Sequence, residues 1–195
     1  MKNKRRVWMV AGLLLMGAAA CLTLYNLWSE YRAGNIAQRL VLELPANMGN
    51  PTLQPEYIGN PDMEMPEKLI DGERCIGILE IPALDLVLPV IDEWGERSLQ
   101  AAPCRYCGSV YRNDLVLCAH NYGTHFGKIK YLSFGDAVIF TDMSSNVFQY
   151  RVKDIEILPP TAVEEMIDSR NWDMTLFTCT IGGSARVTVR CGRIL

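Results

Sequence analysis

From Val7 to Trp28 the chain carries no charged side chain and is apolar almost throughout. As an α-helix this run would be about 33 Å long, at about 1.5 Å per residue, which is enough to cross the hydrocarbon core of a bilayer. Such a segment divides the chain into what lies before the membrane and what lies after it. Lys2, Lys4, Arg5 and Arg6 precede it, so the positive-inside rule puts the N-terminus in the cytoplasm and everything beyond residue 28 outside the cell membrane. Trp8, Tyr25 and Trp28 suit the two interfaces. A cleaved signal peptide and a lipoprotein signal ending at Cys21 are the rivals. The apolar run continues past any Ala-x-Ala site, and Ala18 stands where lipidation normally requires a Leu-like residue. The sequence is therefore read as a basic tail over 1–6 and an uncleaved single-pass helix over 7–28.

With 195 residues the chain has room for one folded domain beyond this anchor. Lys and Arg total 19 against 22 Asp and Glu, and removing the four basic residues of the tail from the net −3 leaves −7 for the remainder. A surface of that sign excludes nucleic acid as a partner. Tyr31, Ile36, Leu40 and Leu44, interleaved with Arg32, Arg39 and Glu43, extend the helix beyond the membrane with an amphipathic face. Pro45, Pro51, Pro55, Pro61 and Pro66 follow within twenty-two residues and mark a linker that would hold the domain away from the bilayer. The boundaries drawn are 29–68 for juxtamembrane helix and linker, and 69–195 for the folded domain.

Within 69–195 the apolar residues fall mostly at strand period. Residues 75–81 and 86–91 read as strands separated by a turn at Pro82, 136–141 as another, and 146–157 as a long one with Val147, Phe148, Tyr150, Val152, Ile155 and Ile157. Short helical turns are expected at 98–102 and 126–132. Asp114 to Ala119 is a further apolar strand that ends at His120. Many short strands with turns between them argue for a closed sheet.

The last two strands carry the chemistry. Thr175 to Cys179 and Arg186 to Arg190 flank a turn containing Gly182, Gly183 and Ser184, a hairpin signal. With 180–185 as the loop, Cys179 faces Arg186 directly, and opposed residues on paired strands project to one face. A thiolate nucleophile is favoured by a nearby cation, and a guanidinium stays charged while offering donors to a developing oxyanion. Arg190 shares the parity of Arg186 but lies about 13 Å further along the strand, too far to serve the thiol. His120 supplies the missing acid–base group if the fold brings its strand alongside. His125 reads as a solvated turn histidine. Glu164 and Glu165 are adjacent in sequence and would face different ways on a helix, so no metal site is expected there.

These three separated segments, with Ile78 to Leu84 upstream of them, resemble the signature of the sortases, membrane-bound cysteine transpeptidases of Gram-positive bacteria. The similarity spans roughly Cys75 to Arg193. It implies an eight-stranded β-barrel with a few short helices and a site made of His120, Cys179 and Arg186. It also implies cleavage of an LPxTG-like sorting signal through a thioester on Cys179, and transfer to an amine of a cell-wall precursor or a pilin, with no cofactor. By the same resemblance the segment 158–172 forms a wall of the peptide groove, which brings in Ala162 and Val163. Phe177, Thr178 and Cys118 stand beside the candidate nucleophile and acid–base residue. Pilin-polymerising members often carry a lid with an aromatic residue after Asp-Pro, and Pro61, Asp62 and Met63 do not make that motif. A hydrolytic cysteine peptidase is a second reading, although peptidase families of the papain type place Cys before His, the reverse of the order here. A non-catalytic peptide-binding barrel is a third.

Seven cysteines complete the inventory. With Cys21 in the membrane and Cys179 needed as a thiol, five remain, so at least one more is unpaired within a monomer. Cys104 and Cys107 form a single C-x-x-C, which fits a small disulfide, idle thiols or half of a zinc site. Zinc would need two further ligands from a chain with only two histidines.

Overall fold

The computed structural model describes residues 2–50 and 54–194. Helix α1, Lys2–Asn47, is 46 residues long, about 69 Å at about 1.5 Å per residue. It does not stop where the apolar run stops. The first half stands clear of the rest of the protein, with Leu13, Leu14 and Leu15 64–72% exposed, as a lipid-facing segment would be. The second half lies on the folded domain through Ala33, Ala37, Leu40 and Leu44, all buried. Their 4-3-4 spacing places them on one stripe of the helix. Tyr31, expected on that stripe, is 69% exposed, because two residues from Ala33 is about 200° round the helix, on its opposite face. The contact stripe opens with two alanines, whose small side chains let the helix sit close to the sheet.

The proline-rich stretch, read as a spacer, touches the domain at Tyr57 and Met65 over the part the structure describes. The domain meets α1 from Ser29 onward, immediately after the apolar run. Residues 54–67 run back across the domain. Tyr57 stacks on Tyr111 with ring centroids 4.7 Å apart, and Met65 is buried. Pro51, part of the same reading, lies outside the described residues.

Among the described residues nine strands follow: β1 Lys68–Ile70, β2 Glu73–Ile81, β3 Leu86–Ile91, β4 Cys104–Cys107, β5 Leu115–Ala119, β6 Ala137–Asp142, β7 Val147–Leu158, β8 Met174–Cys179 and β9 Arg186–Arg193. Their order is β1-β2-β3-β4-β5-β8-β9-β7-β6, and β2 also pairs with β6. The last pairing closes eight strands, β2 to β9, into a barrel. β1 adds to β2 at Glu73 to Cys75, beyond the stretch Gly77 to Glu80 that β6 occupies. Short helices α2, Glu96–Ala101, and α3, Val163–Ile167, lie outside the barrel.

The period-2 pattern sorts side chains to the two faces of the sheet. Leu79, Leu117, Phe140, Phe148, Tyr150, Leu176 and Val189 fill the interior and are fully or almost fully buried, each worth roughly 1.5–3 kcal/mol of transfer free energy for a side chain of this size. On the outer face, Val116, Cys118, Phe177, Ala162 and Met166 make a second apolar cluster. The β4 strand was not foreseen, and it explains why Cys104 and Cys107 do not face each other. Cys104 lies opposite Cys118 on β5, with a bulge between Arg105 and Cys107. Gly108, just after β4, has φ +79, and a Cβ there would run into the Asp114 carbonyl oxygen, so only glycine closes this turn.

Candidate active site on the outer face of the barrel

Two pairings bring the site together. β8 and β9 are antiparallel with Cys179 opposite Arg186, the register expected from the turn. β5 and β8 are parallel with Ala119 opposite Thr178, so both strands end at the same end of the barrel and the next residues in register are His120 and Cys179. The Thr178 hydroxyl donates to the Ala119 carbonyl at 2.8 Å, fastening the two strand ends just before those residues. His120, Cys179 and Arg186 therefore arrive on three neighbouring strands. All three line one cleft of about 290 Å³.

The rest of the lining is mostly apolar. Cys118, Phe177, Thr178 and Val163 border the cleft. Thr178 has inward parity, is 3% exposed and spends its hydroxyl on Ala119, so it contributes little more than a methyl edge. Ala162 does not reach the lining. It precedes α3 and packs in the outer cluster beneath it. Trp94, Leu99 and Tyr106, not foreseen, form one side, and Pro160 and Met166, from the 158–172 segment expected as a wall, form the α3 side. Trp94 stacks on Tyr106 at 5.6 Å, and Tyr106 meets the Phe177 edge at 5.3 Å, giving a continuous aromatic wall. Nothing in the sequence marks these residues. Tyr106 is hidden inside the C-x-x-C, and Trp94 lies in a loop far from either motif.

Arg190, set aside as too distant from the thiol, has a different task. Its side chain is almost fully buried and donates to Glu156 Oε1 at 2.7 Å, Thr175 Oγ1 at 3.0 Å, and the carbonyls of Met166 at 2.9 Å and Glu165 at 2.6 Å. The last two are carbonyls near the C-terminal end of α3, which favours a cation. Arg190 thus ties the α3 wall of the cleft to the barrel. Arg193 is also engaged elsewhere, with Asn113 and over the Phe148 ring.

Burial holds the His120 imidazole below its ordinary pKa, which favours its neutral form. Cys118 shares the cleft but burial pushes its thiol up to about 12, so it stays protonated and unreactive at neutral pH. The Arg186 guanidinium donates through Nη1 to the carbonyls of Gly183 at 3.2 Å and Ala185 at 3.1 Å, which fixes its head at the mouth of the hairpin loop.

His125 is not the solvated turn residue its sequence context suggests. It is fully buried, its ring 5.6 Å from that of Tyr122. Neither ring nitrogen has a hydrogen-bond partner. The cause is tertiary: the loop after β5 is covered by α1, which local sequence does not reveal. Among the described residues every cysteine is free.

Comparison with known proteins gives a consistent picture. The model of the sortase domain matches residues 79–194. Sortase A of Bacillus anthracis is 26% identical over 188 residues, covering 91% of this chain and 89% of that one. Among solved structures, sortase C of Streptococcus pneumoniae has a TM-score of 0.59 at 24% identity, covering 86% of this chain and 88% of that one. A Clostridium perfringens sortase D5 transpeptidase has a TM-score of 0.58 at 17% identity, covering 83% and 97% respectively.

Proposed function

Because the chain belongs to the sortase family and is a transpeptidase by that membership, we propose that it cleaves an LPxTG-like sorting signal through a thioester on Cys179. The acceptor of the cleaved protein is an amine of a cell-wall precursor or a pilin. One observation carries this reading: a thiol, an imidazole and a guanidinium from three neighbouring strands line a single cleft walled by apolar side chains. Extended peptide fits such a groove, with its apolar residues on Trp94, Tyr106 and Phe177.

In the first half-reaction Cys179 Sγ attacks the scissile carbonyl carbon. The tetrahedral oxyanion is stabilised by the Arg186 guanidinium, whose charge does not depend on working pH. His120 donates its proton to the departing amine as the C–N bond breaks, leaving an acyl thioester and a neutral imidazole. In the second half, an incoming amine attacks the thioester carbonyl and gives its proton to His120. Sγ leaves as thiolate beside the imidazolium, the reactive pair that each attack requires. The anchor helix places this chemistry at the membrane, with the N-terminus cytoplasmic and the barrel outside.

The test uses the full chain in detergent micelles with an LPxTG-type peptide and a free amine. Amide product and an acyl adduct on Cys179 are expected for the wild type and neither for Cys179→Ala. Release of peptide to water with no amine transfer would instead indicate a hydrolase, and the absence of any acyl adduct would refute the thioester.

A further inference from the structure

Helix α1 touches the barrel first at the loop that carries His120. The Gly123 amide donates to Glu30 Oε1 at 2.7 Å. Ser29 Oγ and the Tyr122 hydroxyl are 3.0 Å apart, and the Thr124 hydroxyl reaches the Glu30 carbonyl at 3.5 Å. One helical turn on, Gly34 allows close approach, since a Cβ there would come within 2.9 Å of Thr124 Cγ2. The loop's own backbone is tight: the amides of His125 and Gly127 both donate to the Tyr122 carbonyl, and that of Phe126 to the His120 carbonyl. The Tyr122 ring lies 5.0 Å from that of His120. A displacement of Tyr122 or Gly123 therefore passes directly to the His120 imidazole.

We propose that Glu30 is a positioning residue: its carboxylate on the Gly123 amide, with Ser29 on Tyr122, makes the membrane-anchor helix part of the framework that places His120. This rests on the reading of His120 as the acid–base group. The anchor is then more than a tether. Ser29 follows Trp28, the last residue of the membrane run, so the histidine loop is held within about one helical turn of the interface. A shift of the helix in the bilayer would be felt at the cleft. Misplacing a catalytic group by about 1 Å costs on the order of 10²-fold in rate, which sets the size of the effect.

The experiment uses the full chain in micelles. Because the chain has two histidines, ¹³C-histidine labelling yields two imidazole signals, and these report on the loop without any substrate. Glu30→Ala is expected to shift or broaden the His120 signal and to lower kcat by 10–100-fold on the order expected for such misplacement, with KM within about twofold. Glu30→Gln, which keeps the acceptor oxygen and discards the charge, restores both. Ser29→Ala, which removes only the partner of the Tyr122 hydroxyl, repeats the test more gently should Glu30→Ala fold poorly. The proposal is overturned by an unmoved His120 signal in Glu30→Ala, by a Gln variant as impaired as the Ala variant, or by a kcat loss no larger than the loss of folded protein. A wild type inactive on LPxTG-type peptides would refute the substrate reading alone, since the imidazole signals still decide the positioning.

Discussion

Acid should unfold this protein partly through one side chain, His125. Its ring is fully buried and neither nitrogen has a hydrogen-bond partner. Burial depresses its pKa to about 4, the neighbouring His120 pushes the same way, and the carbonyls of Ala33 and Ala101 oppose the drop without reaching hydrogen-bond geometry. In the unfolded chain the same imidazole titrates near 6.5. Below that pH the unfolded state binds a proton that the folded state refuses, so stability falls as the solution is acidified from 6.5 towards 4. Between pH 7.5 and 4.5 the loss is about 2–3 kcal/mol, or roughly 5–10 °C in Tm for a domain of this size. The measurement is denaturant unfolding of the full chain in nonionic micelles at both pH values, for wild type and His125→Leu. Comparing the two cancels the carboxylates and His120, whose depressed pKa contributes in the same direction. Wild type should lose about 2–3 kcal/mol more than the variant on acidification. Equal pH dependence in the two proteins would refute the assignment of that proton to His125.

Three further outcomes test how the cleft is built. Replacing Arg190 with Met breaks all four of its hydrogen bonds and leaves the Glu156 carboxylate unpaired. A loss of about 2–3 kcal/mol in denaturant unfolding is expected, with KM raised more than kcat is lowered because the α3 wall loosens; a KM that stays fixed would separate Arg190 from the groove. Leu40→Ala removes a side chain that is 1% exposed where α1 meets the barrel and should cost about 2–4 kcal/mol. Leu42→Ala, at a position 80% exposed, should stay within about 0.5 kcal/mol, and a similar cost for both would mean that α1 does not dock as described. Trp94→Ala removes one end of the aromatic wall from a half-exposed site, so unfolding should be little changed while KM for the sorting-signal peptide rises several-fold; an unchanged KM would place the peptide elsewhere.

Local information in the sequence determined the long N-terminal apolar helix, most of the strands and the hairpin register. An uncharged run of membrane length, an alternation of period two, and a glycine-containing turn each act through neighbours along the chain, so they can be read there. The opposition of Cys179 and Arg186 is of this kind, because a turn fixes the register of the strands it joins. The approach of His120 is not. It depends on the parallel pairing of β5 and β8, whose ends are fifty-nine residues apart at Ala119 and Thr178, and parallel neighbours are joined by no turn that could set their register. The same holds for what the sequence reading placed wrongly. His125 looks solvated until α1 docks over its loop, and Trp94 gains a role only when β4 brings Tyr106 beneath it. Burial and adjacency are properties of surfaces meeting across the fold. A chain can encode them only through the sum of its packing, and that sum exists once the barrel has closed and the helix has docked.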